Sequence, residues 1–257
     1  SPSSVYPELT MDIRNFARAG PVNEGCGAEH AQKLQLPPAG VSAEHDVGKL
    51  MCSFDGDGDR IVFHAFLSME GAPKWVLLDG DKIAALFAKL LQQELSAAGL
   101  GASFSCAVVQ TAYANGASTQ FIQSVGMPIF MAKTGVKYLH HKAQEFDVGI
   151  YFEANGHGTV IFSERFRRSV LAYAPSSDSS AERINLAYAR LQASIRLINP
   201  AVGDALSDML YCLGALQVLD VSLLRWHSLY TDLPSKQQKV GVPDKSAVAC
   251  SEDETTV

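Results

Sequence analysis

Between Trp75 and Ser163, apolar runs of strand length alternate with segments whose apolar residues recur at helical spacing. Trp75-Val76-Leu77-Leu78 reads as a strand. Ile83, Leu86, Phe87, Leu90, Leu91 and Leu95 then follow a helical period up to Gly99, with Asp79 or Asp81 as the cap. A strand over 104–109, a helix over about 116–125, a strand over 128–133 and a helix over about 136–146 follow, and 148–153 and 158–163 pair around a Gly-rich turn. This β-α-β-α-β order predicts an α/β fold, a mixed or largely parallel sheet with helices on both faces, because each helix carries the chain back to start the next strand.

Upstream, Asp55-Gly56-Asp57-Gly58-Asp59-Arg60 lies between two strand-like runs, 49–54 and 61–66, so a sheet presents three carboxylates on alternate positions of one turn. Such a convergence of negative charge calls for a cation, and an all-carboxylate set favours a hard ion such as Mg2+. A calcium-binding EF-hand loop is the first rival, but Arg60 and Phe66 stand where it needs a glycine and a distal glutamate, and the flanks read as strands. A plain acidic turn capping a hairpin is the second, although it needs one Asp-Gly pair and two are present.

Two further stretches concentrate chemistry. Phe152-Glu153-Ala154-Asn155-Gly156-His157-Gly158 sets a carboxylate, an amide and an imidazole on a turn whose Asn-Gly pair alone would suffice for a hairpin; glutamate and asparagine together suit vicinal hydroxyls. Lys133-Thr134-Gly135-Val136-Lys137-Tyr138-Leu139-His140-His141-Lys142 sits where a strand ends and a helix begins, a place where backbone amides and lysines receive an anion. His140 and His141 project about a hundred degrees apart on a helix, which argues against zinc.

Composition bounds the rest. A formal charge of −6 with no basic cluster argues against nucleic acid, and no opening apolar segment or long apolar run points to a membrane. Five widely spaced cysteines without a CxxC pair suit reduced thiols and a cytoplasmic location. Residues 1 to 48, rich in Pro, Gly, Ser and Ala, are expected to be loosely structured; the stretch 174–180 reads as a polar break, followed by helices near 181–197 and 203–219. Lys239-Val240-Gly241-Val242 reads as one strand of a unit that is begun and not completed.

Together, Asp55 to Arg60, Gln110-Thr111-Ala112-Tyr113-Ala114-Asn115-Gly116, Lys133 to Lys142 and Phe152 to Gly158 resemble the phosphoacetylglucosamine mutases, a family within the α-D-phosphohexomutase superfamily. Asn23 to Ala28, Gly203 to Leu210 and Leu229 to Pro234 support the likeness, which runs from about residue 22 to about 242. The resemblance implies interconversion of N-acetylglucosamine 6-phosphate and 1-phosphate through a phosphoserine and a sugar 1,6-bisphosphate, in the supply of UDP-N-acetylglucosamine. It implies that Asp55, Asp57 and Asp59 hold Mg2+, that Arg60 adds a forked donor, that Glu153, Asn155 and His157 recognise the sugar, and that Thr134, Gly135 and Lys137 approach its reacting end, Lys137 with a proton-transfer role. It implies three parts: 1–72 as a remnant of domain two with the metal loop, 73–228 as domain three, and 229–257 as the start of domain four.

The departures are as specific. The family's Ser-His-Asn-Pro type loop and its final Arg-Pro-Ser-Gly-Thr phosphate loop are absent, residues 1 to 20 match poorly, and 163–180 diverges. Positioning is most of phosphoryl-transfer catalysis, so a partial chain without nucleophile or phosphate clamp is expected to be inactive alone. The alternatives are a non-catalytic product that binds sugar phosphate or pairs with a full-length family member, and an aspartyl-nucleophile phosphatase using Asp55.

Overall fold

The computed structural model describes residues 10–16, 18, 20–199, 203–235, 241, 243, 244, 248–251 and 256. Helices α1 (Gly27–Leu34) and α2 (Ala43–Asp46) come first, so the N-terminal region holds more structure than its composition suggests. α1 shows a narrow apolar face, since only Ala28 and Ala31 are buried, against Val62 and the flank of Trp75 and Leu77. α2 is anchored through a charge. Asp46, fully buried, accepts from Arg14 at 2.9 and 3.0 Å, from Lys49 at 3.1 Å and from the Ser42 amide, and Arg14 above all holds its carboxyl well below the usual range.

Strands β1 (Met51–Phe54), β2 (Ile61–Met69) and β3 (Ala72–Leu78) form a separate antiparallel sheet in the order β1-β2-β3. The parallel arrangement expected of Trp75–Leu78 is thereby corrected. Glu70 and Gly71 both take positive φ, 51° and 85°, and this two-residue turn folds β3 back onto β2. The sheet therefore crosses residue 72.

α3 (Gly80–Ala97) opens at Asp79, whose carboxylate accepts from the amides of Asp81 and Lys82, and it buries most of its length. After it come β4 (Cys106–Gln110), α4 (Gly116–Ser124), β5 (Ile129–Met131), α5 (Val136–Ala143), β6 (Val148–Phe152) and β7 (Gly158–Phe162). Their sheet runs β5-β4-β6-β7, parallel except for β7, which returns antiparallel beside β6. α5 covers one face through Leu139 and Ala143, packed with Val109, Tyr151 and Ile161. α3 covers the other: Phe87 stands edge-on to Phe152 at 5.5 Å and to Tyr211 at 4.6 Å.

α6 (Glu164–Leu171), α7 (Glu182–Leu197), α8 (Ala205–Val218) and α9 (Leu223–His227) complete the described elements, with a short 3₁₀ turn at Ser179–Ala181. α6 and α9 fall outside the periodic segments read from sequence. The segment after α9 is clasped to α3: Trp226, fully buried, donates its indole N–H to the Lys82 carbonyl at 3.0 Å, and Lys82 Nζ donates to the carbonyls of His227 and Tyr230 at 3.0 and 2.7 Å. The strand expected at 239–242 lies largely outside the described residues. Among the described residues no helix is long and apolar enough to cross a membrane.

One buried pair makes the first sheet pH-sensitive. His64 on β2 is 1% exposed, its Nε2 lies 3.0 Å from Ser53 Oγ on β1, and burial pushes its pKa down to about 4. The folded state thus binds fewer protons than the unfolded chain. This stability is complete above the ordinary histidine value near 6.5, and it is lost as pH falls from there through 4. We expect His64→Gln to flatten the pH dependence of the urea midpoint between pH 6.5 and 4 relative to the parent.

Candidate functional site

The turn from β1 to β2 is organised by its own first carboxylate. Asp55 Oδ1 accepts the amides of Gly58, Asp59 and Arg60 at 3.1, 3.2 and 3.1 Å, with Gly58 at φ +77° where a side chain is strained. The flanks are strands, which rules out the EF-hand arrangement. With one oxygen committed to three amides, Asp55 is a poor candidate for a free nucleophile, which weighs against the phosphatase alternative.

The turn gathers Asp55, Asp57 and Asp59 so that one oxygen from each lies within 4.8 Å of the others. Arg60 Nε stands 3.5 Å from Asp55 and 3.7 Å from Asp59, while Asp57 is exposed. Asp59 Oδ1 and Arg60 Nε are buried yet lack a hydrogen-bond partner. An unsatisfied buried carboxylate oxygen in a three-carboxylate cluster fits a hard divalent cation. Asn23, itself at φ 64°, packs its side chain over Gly56 and so holds the turn from outside.

The β6–β7 turn lies directly against this loop. Ile61 N–H donates to the Gly156 carbonyl at 3.1 Å, Arg60 and His157 form an antiparallel bridge, and His157 Nε2 lies 3.5 Å from Asp59 Oδ2. Within the turn, Asn155 Oδ1 accepts the His157 amide at 2.9 Å, and Asn155 Nδ2 donates to Glu153 Oε2 at 3.3 Å. The other Glu153 oxygen accepts the Gly135 amide at 3.1 Å, which ties in the β5–α5 turn. Gly135 takes φ +118°, and Thr134 and Lys137 are exposed there.

Three turns distant in sequence thus meet along one edge. Asp55, Asp57, Asp59, Arg60, Glu153, Asn155 and His157 form a continuous patch, and Gly135 joins it through Glu153. Gln110 and Asn115 serve the scaffold: Gln110 is buried against Ser118 and Thr119, and Asn115 caps α4 while bonding both ways with Leu233. His140 is engaged by Tyr151 at 2.9 Å. Sequence reasoning gave no role to the start of α8, whose Ala205 amide donates to the Gly58 carbonyl at 3.2 Å; the Gly-Asp pair before that helix is its only local signal.

The family model for phosphoacetylglucosamine mutase AMG1, domain III, matches residues 79–221, more than half of the chain. The chain belongs to the phosphoacetylglucosamine mutase family. The phosphoacetylglucosamine mutase of Arabidopsis thaliana is 46% identical over 262 residues, covering 96% of this chain and 45% of the relative. The crystal structure of Aspergillus fumigatus N-acetylphosphoglucosamine mutase with GlcNAc-6P and magnesium superposes with a TM-score of 0.82 at 40% identity, over 90% of this chain and 45% of that one. A variant of the same fungal enzyme in complex with glucose 1,6-bisphosphate gives 0.80 at 40%, over 90% and 41%. The chain therefore spans less than half the length of these phosphoacetylglucosamine mutases.

Proposed function

We propose that the chain carries the metal and sugar portion of a phosphoacetylglucosamine mutase site, which interconverts N-acetylglucosamine 6-phosphate and 1-phosphate. The observation that carries this reading is the contact of the Asp55–Arg60 turn with the Glu153–His157 turn, joined by the Ile61–Gly156 hydrogen bond. Asp55, Asp57 and Asp59 hold magnesium, which when bound neutralises charge on a transferring phosphoryl group. Arg60, one-third exposed between Asp55 and Asp59, would add a forked donor for the same phosphoryl oxygens.

Glu153 and Asn155 orient ring hydroxyls. Their mutual hydrogen bond and the Gly135 amide fix the two groups before a ligand arrives, which lowers the ordering cost of binding. His157 packs beside them, and in this reading Thr134, Gly135 and Lys137 approach the reacting end, with proton transfer as the role proposed for exposed Lys137. The chain divides into a piece of domain two with the metal loop over 1–72, domain three over 73–228 and the opening of domain four over 229–257; the pairing of β3 with β2 joins the first two parts in one sheet. A sugar 1,6-bisphosphate is the activating ligand and intermediate, and the cytoplasm is the location.

A full-length family member, or the domains that this chain does not span, is the proposed macromolecular partner. Exposed Met11, Ile13 and Phe16, 56 to 70% accessible, offer it apolar surface. The test is conversion of N-acetylglucosamine 6-phosphate by the purified chain with magnesium and a sugar bisphosphate. We expect no turnover by the chain alone; turnover equal to that of a full-length relative would overturn the assignment of a partial site.

A further inference from the structure

We infer that the start of α8, from Gly203 to Asp208, is a positioning brace that locks the metal loop and the sugar loop into one rigid pair. The inference rests on the reading of those two turns given above. Three contacts from one short stretch reach both. The Ala205 amide, a free donor at the helix start, is satisfied by the Gly58 carbonyl at 3.2 Å. The Gly203 backbone wedges between the turns: a Cβ there would lie 3.1 Å from the Gly158 carbonyl oxygen, 3.1 Å from His157 Cδ2 and 3.3 Å from the Asp59 carbonyl oxygen. Asp208, 1% exposed, accepts the hydroxyl of fully buried Thr159 at 3.1 Å, immediately after the sugar loop.

The brace has a fixed base. Asp204 caps α8 by accepting the amides of Leu206 and Ser207 at 3.1 and 3.2 Å, which sets where the helix begins. Further along, Met209, Tyr211, Cys212 and Ala215 are buried in the main core. The helix end is therefore anchored in the body and presented to two turns that come from different sheets. A ligand spanning both turns meets groups already in register, and outer contacts of this kind set the affinity of the groups they hold.

The experiment uses the whole 257-residue chain, Mn2+ as the metal probe, and the backbone amide NMR signals of 56–60 and 153–159. Gly203→Ala is expected to shift both sets of signals together and to weaken Mn2+ binding by about tenfold. Gly214→Ala, inside α8 where an added Cβ meets nothing, is expected to change neither. Thr159→Val removes the hydroxyl held by Asp208 on the sugar-loop side, and it is expected to shift the remote signals of 56–60 as well.

Signals that move in only one turn, or in neither, in Gly203→Ala overturn the brace. If Gly203→Ala does not fold, Thr159→Val decides: changes confined to 153–159 overturn the inference. Failure of Mn2+ to broaden the 55–60 signals in the parent chain defeats the metal reading instead, and the paired shifts still decide the brace.

Discussion

Gly156→Ala is expected to destabilise the chain by about 4 kcal/mol, because strain and overlap act at one atom. Gly156 sits at φ +89°, and an added Cβ would lie 2.0 Å from the Ile61 carbonyl oxygen and 2.6 Å from its carbon. Neither neighbour can move cheaply. Ile61 is fully buried as the first residue of β2, and its amide is bonded to Gly156 itself. Gly48→Ala separates the two contributions: Gly48 takes φ +79° but its Cβ would meet nothing, so that variant should lose only about 1 kcal/mol. Urea midpoints of both variants check the difference, and equal losses would show that the two turns are not packed as described.

Asp59→Asn is expected to weaken Mn2+ or Mg2+ binding by at least about a hundredfold, since it removes a charge and replaces one of the two carboxylate oxygens with a donor that cannot ligate a cation. Asp57→Asn should weaken it as well, with an opposite effect on the metal-free chain. Arg60 stands beside Asp55 and Asp59, and no ion pair to Asp57 is found among the described residues. Neutralising exposed Asp57 relieves repulsion, so the metal-free chain should gain up to about 1 kcal/mol. Calorimetric titration gives the affinity and thermal unfolding without metal gives the stability; unchanged affinity in both variants would remove the metal assignment.

The parts of the fold legible in the sequence are those whose signal is local. α3 carries six apolar residues in helical register and a capping aspartate, and it forms where expected. α6 was not legible because only Phe166 and Val170 are buried among Arg165, Arg167 and Arg168, leaving too thin a stripe to register as periodic. α1 is similar, since two alanines suffice to dock it. The direction of β3 was misread for another reason: a strand's apolar pattern does not encode its neighbour, and the Glu70-Gly71 turn that decides it depends on positive φ.

At the site, the Asp55–Asp59 turn is legible because three carboxylates on alternate positions, with two Asp-Gly pairs between strand-like runs, exceed what a plain turn needs. The hydrogen bonds from Glu153 to Gly135 and from Ile61 to Gly156 were not, because they join segments that only the folded sheets bring together. Gly203 illustrates the limit. Its closeness to both turns is set by where α8 docks, and a lone glycine in sequence says nothing of that.

The most direct measurement is paramagnetic relaxation of N-acetylglucosamine 6-phosphate by Mn2+ bound to the chain. If the Asp55–Arg60 and Glu153–His157 turns form one site, sugar-ring proton and phosphorus relaxation will rise, when the chain is added, above the level that the same concentration of Mn2+ gives without it. The rise will disappear in Asp59→Asn and also in Glu153→Gln. Mn2+ binding to the chain without enhancement of the sugar's relaxation beyond that of free Mn2+ would contradict the account, because metal and sugar would then not share the edge on which these turns meet.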